Sequence, residues 1–209
     1  MTWLRASLFV LIGGALGLAQ AATPYQPCAP PGQQDRVASL GASGPSAVRT
    51  LSLLIEESKV IVVGRLDSRM CRVDTSIVPM VNSKFTVVVE SALRGSAPRA
   101  TLSILVRGSG RVITSEGRLF HTELEDHFEP PKIGDRVLLF LKPDAVERDV
   151  FTMSGWGGQG IFRVNDDGTI RSPWRQLVRL SQEQENVHGQ LDGKKAADVL
   201  AEVTRIVGR

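Results

Sequence analysis

The sequence predicts a mainly β protein: a small antiparallel barrel of five or six strands, with a short helix before it and a C-terminal helix after it. Three observations predict this class. β-Branched apolar residues recur in short runs that are bounded by turn residues. The connections between these runs lack the helical periodicity that crossovers between parallel strands require. Apolar residues at helical spacing occur before the first run and after the last, as expected for a small closed or partly closed barrel.

The helices and strands are predicted from local patterns. Residues 46–58 have apolar residues at helical spacing and are predicted as a short helix. The predicted strands are 60–66, 85–90, 101–106, 136–141, 151–154 and 160–164. Gly64 marks a bulge or a close backbone approach within the first strand. Turns are predicted at 133–135 and at Asp167-Gly168, and a helix is predicted from 194 to 207.

The composition is that of an ordinary globular chain. Of 209 residues, 42% are hydrophobic and 22% are charged, with a formal net charge of +3. Nucleic-acid binding needs a strong basic surplus and often aromatic stacking platforms, and only 5% of these residues are aromatic. The composition therefore argues against a nucleic-acid partner.

Residues 1–21 have the three parts of a secretory signal peptide. Arg5 supplies the positive beginning, an apolar stretch follows to Leu18, and Ala19-Gln20-Ala21 offers small residues at the positions a signal peptidase reads. An uncleaved membrane anchor is the alternative, but the stretch is short for a permanent span and rich in glycine. We therefore expect cleavage, secretion to the periplasm or the medium, and no membrane span afterwards.

The two cysteines, Cys28 and Cys71, are predicted to form a disulfide. An exported chain meets an oxidising compartment, which favours this pairing over a metal or redox pair. The bond joins a flexible leader, 22–45, to the barrel domain, 46–180, which a helical tail, 181–209, follows. Closing a loop of about 44 residues stabilises a fold by about 4 kcal/mol in the chain-entropy model.

Three strand patterns carry a family resemblance. The succession ESKVIVVGRL, FTVVVESALRG and PPKIGDRVLLFL resembles secreted bacterial domains of the OB-fold, netrin-like kind, with 160–164 as a fourth match. The resemblance covers about 51–170 and implies a small barrel similar to that of tissue inhibitors of metalloproteinases. In those inhibitors the first mature cysteine enters the protease site. Because Cys28 does not begin the expected mature chain and a C-x-C opening is missing, the resemblance implies the fold and not the inhibition.

The segment 121–129 is the best candidate for a metal site. It contains two of the three histidines and four acidic residues, and imidazole and carboxylate groups are ligands of divalent transition metals. His121, Glu123 and His127 are the candidate zinc ligands. The sequence contains no H-E-x-x-H motif, and the alternative interpretation is a solvated acidic loop between strands.

Two further segments are candidates for ligand contact. The glycine-rich segment 155–160 holds Trp156, whose ring is a candidate ligand platform; a twisted bulge at a barrel corner is the alternative. The segment 94–118 contains five arginines and one acidic residue, which suggests that it faces the acidic segment 121–129.

These patterns favour a secreted, non-catalytic module that binds a protein, peptide or glycan. They assign no catalytic or cofactor-binding residue. A zinc-dependent hydrolase that uses the segment 121–129 is the alternative, and a structural component of the cell envelope is a third hypothesis.

Overall fold

The computed structural model describes residues 23–30, 38–40, 50–75, 79–95, 101–124, 128–155, 159–180 and 186–208. Within them the strands are β1 (Gln26–Pro27), β2 (Ala38–Leu40), β3 (Val60–Asp74), β4 (Met80–Arg94), β5 (Thr101–Val106), β6 (Gly110–Ile113), β7 (Leu119–Leu124), β8 (Arg136–Pro143), β9 (Val150–Met153), β10 (Ile161–Val164) and β11 (Ile170–Arg171). The helices are α1 (Leu51–Glu57), α2 (Arg175–Leu180), α3 (Val187–Leu191) and α4 (Ala196–Val207). The protein is mainly β, as the sequence predicts. The expected signal peptide, 1–21, lies outside the described residues.

The main sheet is mixed and has eight strands. Its order is β1-β3-β4-β5-β9-β8-β10-β11, and β3 also pairs with β8. Pairing therefore leads from β3 through β4, β5, β9 and β8 and back to β3. We call these five strands the five-strand circuit. β5 and β9 run parallel, so the prediction of a purely antiparallel sheet is wrong. The connection 107–149 is long enough to carry the chain back to the end from which β5 started.

The beginning of β3, 60–64, and the centre of β8, 137–141, are buried on both faces. Alternate residues there belong to two different apolar clusters, which explains why both segments read as continuous apolar runs. The circuit cluster includes Val60, Val62, Leu66, Phe85, Val87, Leu102, Ile104, Val137, Leu139, Leu141 and Met153. The helix cluster joins Ile61, Val63, Leu138, Phe140 and Phe162 to residues of α1, α3 and α4, among them Leu54, Val187, Val199 and Val203. Burial of each such side chain contributes roughly 1.5–3 kcal/mol.

β3 and β4 are each 15 residues long, far longer than the strands that their apolar runs predict. Their pairing continues to Asp74 and Met80 through polar residues. The register shifts after Ile61, before Gly64 and after Leu66. A Cβ atom at Gly64 would lie 2.5 Å from the carbonyl oxygen of Val88. The predicted close approach at Gly64 is thereby confirmed.

A smaller sheet has the order β2-β7-β6. β6 and β7 form an antiparallel hairpin in which Val112 pairs with Phe120. Val112 also packs against Cys71, Val73 and Val81. Because this apolar contact holds β7 in place, residues 121–124 are strand, and the prediction of a loop is wrong for them.

Cys28 and Cys71 form a disulfide, with their Cα atoms 4.9 Å apart. The predicted pairing is confirmed. β1 pairs with β3 at Cys71 and Met70, so residues 23–30, which we call the N-terminal strap, lie along β3. β1 and β2 both fall within the segment 22–45 for which the sequence predicts a flexible leader.

The observed helices flank the sheet. α1 begins after Thr50, whose hydroxyl accepts a hydrogen bond from the N–H of Leu53 at 3.2 Å; residues 46–49 of the predicted helix lie outside the described part. α4 agrees with the helix predicted at 194–207. No helix in the described part of the chain combines the length and the apolar character that a membrane crossing requires.

Candidate functional site

A polar cleft of about 660 Å³ lies where β3, β8 and β10 meet. Its charged and amide side chains are Arg65, Asp135, Arg136, Arg163, Asn165 and Asp166. The volume falls within the range of ordinary ligand sites, which are usually lined by apolar residues. Here Val164 is the one apolar side chain of the described lining. The cleft therefore suits a polar or charged ligand.

Two arginines of the cleft lie directly opposite each other. Arg65 on β3 is the cross-strand partner of Arg136 on β8, and like charges in opposed positions destabilise a sheet. Glu90 of β4 offsets this repulsion: its Oε2 accepts a hydrogen bond from Arg136 Nε at 2.6 Å, and its Oε1 lies 3.9 Å from Arg65 Nε. Arg65 Nη1 also donates to the carbonyl oxygen of Gly134 at 2.8 Å.

These two guanidinium groups remain accessible to solvent. The side chain of Arg65 is 56% exposed and that of Arg136 is 39% exposed. A planar guanidinium presents five N–H donors in a fixed fork that matches carboxylate and phosphate oxygens. Both arginines can therefore contact a ligand in the cleft.

The third arginine of the cleft is more buried. Arg163 has a side chain 16% exposed, and its Nε forms an ion pair with Asp135 Oδ2 at 3.0 Å, although the N–H is not aligned for a hydrogen bond. Its Nη1 donates to Glu129 Oε1 at 3.1 Å, and Arg175 Nη2 donates to Glu129 Oε2 at 3.1 Å. Arg171 on β11 pairs with Arg163 across the strands, which makes a second opposed arginine pair.

Glu129 is held in its charged form by these neighbours. Partial burial acts to raise the pKa of this carboxyl. The hydrogen bond from Arg163 and the charges of Arg163 and Arg175 outweigh burial, and the pKa lies below its usual range. The carboxylate therefore stays ionised and holds Arg163 at the side of the cleft.

Two turns that the sequence predicts shape the walls of the cleft. Gly134 has a φ of +91°, a conformation that favours glycine, and its N–H donates to the carbonyl oxygen of Leu66 at 2.7 Å. Gly168 has a φ of +78° in the turn between β10 and β11. There Asp167 Oδ1 accepts hydrogen bonds from the N–H and the hydroxyl of Thr169, which lower the pKa of Asp167.

The three candidate zinc ligands lie in and after β7. His121 is half-buried on this strand, opposite Arg111 of β6. The side chain of Glu123 and the whole of His127 lie outside what the structure describes. Among the described residues, no group of three or more His, Cys, Asp or Glu side chains is placed to hold a metal ion. The zinc site therefore stays a prediction.

Trp156, the candidate ligand platform, lies outside the described residues. The segments 94–118 and 121–129, which the sequence predicts to face each other, are neighbours in the β6–β7 hairpin, where Arg111 lies opposite His121. The one acidic side chain of 121–129 that the structure describes, Glu129, forms its ion pairs elsewhere. Glu129 pairs with Arg163 and Arg175, whereas Arg107 pairs with Asp144 at 2.7 Å and Arg118 pairs with Glu116. Arg107 and Arg118 thus form ion pairs outside the segment 121–129, and the side chains of Glu123, Glu125 and Asp126 lie outside what the structure describes.

Ser172, His188 and Asp192 have the residue types of a catalytic triad but not its geometry. Ser172 Oγ lies 2.8 Å from His188 Nδ1, and both residues are fully buried. Asp192 Oδ1 accepts from the backbone N–H of Ser172 and not from the imidazole. A buried hydroxyl cannot meet a substrate, so this trio fastens α3 to the end of β11.

Arg69 is a half-buried cation near the disulfide. Its Nε and Nη2 donate to Ser83 Oγ at 3.0 and 2.8 Å, and its guanidinium lies 5.2 Å from the centre of the Phe85 ring. No ion pair of Arg69 occurs among the described residues, and burial lowers its pKa. Ser83 in turn donates to the carbonyl oxygen of Ser109 and lies 3.4 Å from Cys71 Sγ. These groups form a polar layer beneath the N-terminal strap.

The arginines of the cleft are not singled out by the sequence patterns. Each lies at or near the end of a predicted strand, where a charged residue is common. Arg65 ends one apolar run and Arg136 begins another, 71 positions later by their numbers. The antiparallel pairing of β3 and β8 brings the end of the first run beside the beginning of the second. The sequence does show an arginine at each of these two positions. To predict that they lie together, one must already know that β3 pairs with β8.

Comparison with known proteins gives no family for this chain. No protein-family model matches the sequence, and no curated protein matches it either.

Proposed function

We propose that the protein is a secreted, non-catalytic binding module built on an OB-like barrel, and that the polar cleft is its ligand site. The partner is a protein, peptide or glycan outside the cytoplasm. The observation that carries the proposal is the cleft itself, in which three arginines from three neighbouring strands surround a volume of about 660 Å³.

The strand pairings support an OB-like barrel. OB folds are five-stranded Greek-key barrels, and the five-strand circuit has five members whose pairings return to β3. Residues from all five strands contribute to the circuit cluster. The netrin-like resemblance of the sequence points to the same architecture, because its matching segments fall on β3, β4, β8 and β10.

Export is supported by two features of the chain. Residues 1–21 have the pattern of a signal peptide, and the Cys28–Cys71 disulfide is of a kind that persists in oxidising compartments. We therefore place the binding function in the periplasm or the medium.

A capture experiment with variants tests the cleft as the ligand site. Immobilised protein is incubated with an extract of the cell envelope, and retained proteins are identified by mass spectrometry. The double variant Arg65→Gln/Arg136→Gln is compared with Arg148→Gln/Arg205→Gln, which removes the same charge from exposed positions between β8 and β9 and on α4. We expect a partner that the wild type and the control retain and the cleft variant loses. Equal retention by all three proteins would contradict the assignment of the cleft.

The zinc-dependent hydrolase is tested separately. Purified protein is analysed for metal, and the double variant His121→Ala/His127→Ala is analysed beside it. Stoichiometric zinc that disappears in the variant would favour the hydrolase over the binding module.

A further inference from the structure

We propose that the cleft binds a carboxylate of an acidic peptide segment, and that Glu90 occupies the same pair of arginines when this segment is absent. This inference rests on the function proposed above, because it names the ligand class of the same cleft.

The starting point is the opposed pair Arg65 and Arg136. Charged residues of one sign in directly opposed positions weaken a sheet, and β10 and β11 repeat this arrangement with Arg163 and Arg171. The four neighbouring strands β3, β8, β10 and β11 thus place arginines in adjacent rows of the sheet. A local rule of sheet stability is broken where Arg65 and Arg136 share one exposed face, which is expected where a surface serves binding and not folding.

Glu90 lies closer to one arginine of the first pair than to the other. Its carboxylate is 2.6 Å from Arg136 Nε but 3.9 Å from Arg65 Nε. Arg65 makes one further described hydrogen bond, to the carbonyl oxygen of Gly134. Since a guanidinium has five N–H donors, Arg65 retains donors for a second carboxylate, and its exposed side chain can turn toward one.

The same contacts indicate a carboxylate ligand and not a phosphate. Glu90 demonstrates that a carboxylate fits between Arg65 and Arg136. Asp135 and Asp166 also line the cleft, and their charges repel a dianion more strongly than a monoanion. Asn165 and Asp166 add amide and carboxylate groups that can bond the backbone of a peptide.

The test measures, by calorimetry at low ionic strength, the binding of a blocked peptide that carries one glutamate between glycines, with inorganic phosphate as the comparison ligand. We expect Arg136→Gln to weaken peptide binding about tenfold, as loss of a charge-assisted hydrogen bond predicts. We expect Glu90→Gln to strengthen it several-fold, because the competing carboxylate is removed. General electrostatic attraction would raise the affinity equally wherever a carboxylate is removed. A larger increase at Glu90 than at a matched control site therefore indicates competition for the arginine pair.

Matched controls separate the cleft from overall charge. Arg205 on α4 and Glu56 on α1 are exposed and do not line the cleft. Arg205→Gln and Glu56→Gln therefore change the net charge as Arg136→Gln and Glu90→Gln do, away from the cleft. We expect both controls to bind the peptide within twofold of wild type.

The outcomes distinguish this inference from the proposed function. Equal effects at the cleft and at the control pair would overturn the carboxylate site, as would phosphate binding that is tighter than peptide binding. If the peptide does not bind but the envelope partner still depends on Arg65 and Arg136, the inference fails and the binding module stands. If no partner depends on these arginines, the proposed function fails as well.

Discussion

His188 is a histidine that burial keeps neutral. Its ring is fully buried, stacks on Phe162 with ring centres 5.0 Å apart, and lies 2.8 Å from the hydroxyl of Ser172. Burial lowers the pKa of His188 to about 3. An exposed histidine in the unfolded chain titrates near 6.5. Between these values the unfolded chain binds a proton that the folded protein does not.

This difference makes the stability of the protein depend on pH. The stabilisation is fully present above pH 6.5 and decreases as the pH falls toward 3, because protons favour the unfolded chain. We expect the free energy of unfolding to fall by about 2 kcal/mol between pH 7 and pH 5. Urea unfolding at the two pH values measures this change.

The variant His188→Asn isolates the histidine. Asparagine keeps a polar atom near the position of Nδ1 but does not titrate, so the variant is expected to lose most of the pH dependence above pH 5. Glu129 and Asp144, whose pKa values lie below their usual range, contribute mainly at lower pH. If wild type and variant lose the same free energy between pH 7 and pH 5, His188 is not the cause.

For single residues, the sequence predicts a special backbone conformation or a disulfide more easily than it predicts which charged side chains form ion pairs. Gly64 is predicted correctly because a glycine inside a β-branched run usually marks a bulge or a place where another backbone comes close. The Cys28–Cys71 disulfide is predicted correctly because an exported chain with two cysteines can form only one intramolecular pair. The partners of Arg65 and Arg163 depend on which strands pair, and a local pattern does not contain that information.

Among the structural elements, the N-terminal strap is the one that the sequence describes least well. The ring of Tyr25 contacts two cations, with Arg72 4.6 Å and Lys84 3.9 Å from the ring centre. Its hydroxyl donates to Glu147 Oε1 at 2.9 Å. Burial and this hydrogen bond raise the pKa of Tyr25. The backbone N–H of Ala29 donates to the carbonyl oxygen of Arg111 on β6 at 2.8 Å. The strap therefore joins the main sheet to the smaller one.

Removal of the disulfide tests how far these contacts hold the strap. We expect Cys28→Ser to lower the free energy of unfolding by about 2–4 kcal/mol, because the unfolded chain regains the entropy of an open loop. The amide of Ala29 should then exchange with solvent faster than in the wild type. Urea unfolding and hydrogen exchange followed by NMR measure the two effects.

Reduced wild-type protein serves as the control for this variant. Since the cause lies in the unfolded chain, reduction and substitution should lower the stability equally. If the free energy of unfolding is unchanged in both proteins, the prediction is wrong, and the contacts of the strap hold it against β3 without the disulfide.

Predicted and observed elements differ mainly where polar residues continue a strand. β5 is found at its predicted bounds, because its apolar alternation and its ends coincide. β3 continues eight residues past Leu66, through Arg69 and Arg72, because β4 pairs with it over its whole length. β6 and β7 are short, and the contact of Val112 with Val73 and Val81 that holds them is long-range. Long-range contacts of this kind determine where a strand ends, and a local sequence pattern does not contain them.

For the molecule as a whole, the circuit cluster and the helix cluster share the strands β3 and β8. Alternate residues of these strands, such as Leu138 and Leu139, belong to different clusters. Loss of α4 would expose one face of the strands whose other face lies in the circuit cluster. The C-terminal helices are therefore expected to unfold together with the sheet in a single transition.

Two probes test this cooperativity. Trp174 is buried in the circuit cluster. Replacement of Trp156 by Phe, and of Trp3 where residues 1–21 are retained, leaves Trp174 as the one tryptophan. Val199→Ala in α4 removes apolar contacts from the helix cluster, and we expect a loss of about 2 kcal/mol. The unfolding transitions followed by Trp174 fluorescence and by far-ultraviolet circular dichroism should shift together to lower urea concentration.

Thr204→Ser, at an exposed position of the same helix, is the control. It should change the free energy of unfolding from either signal by no more than about 0.5 kcal/mol. Loss of the helical signal before the Trp174 signal would show that α4 is a separate unit, and the two clusters would then fold independently despite the strands they share.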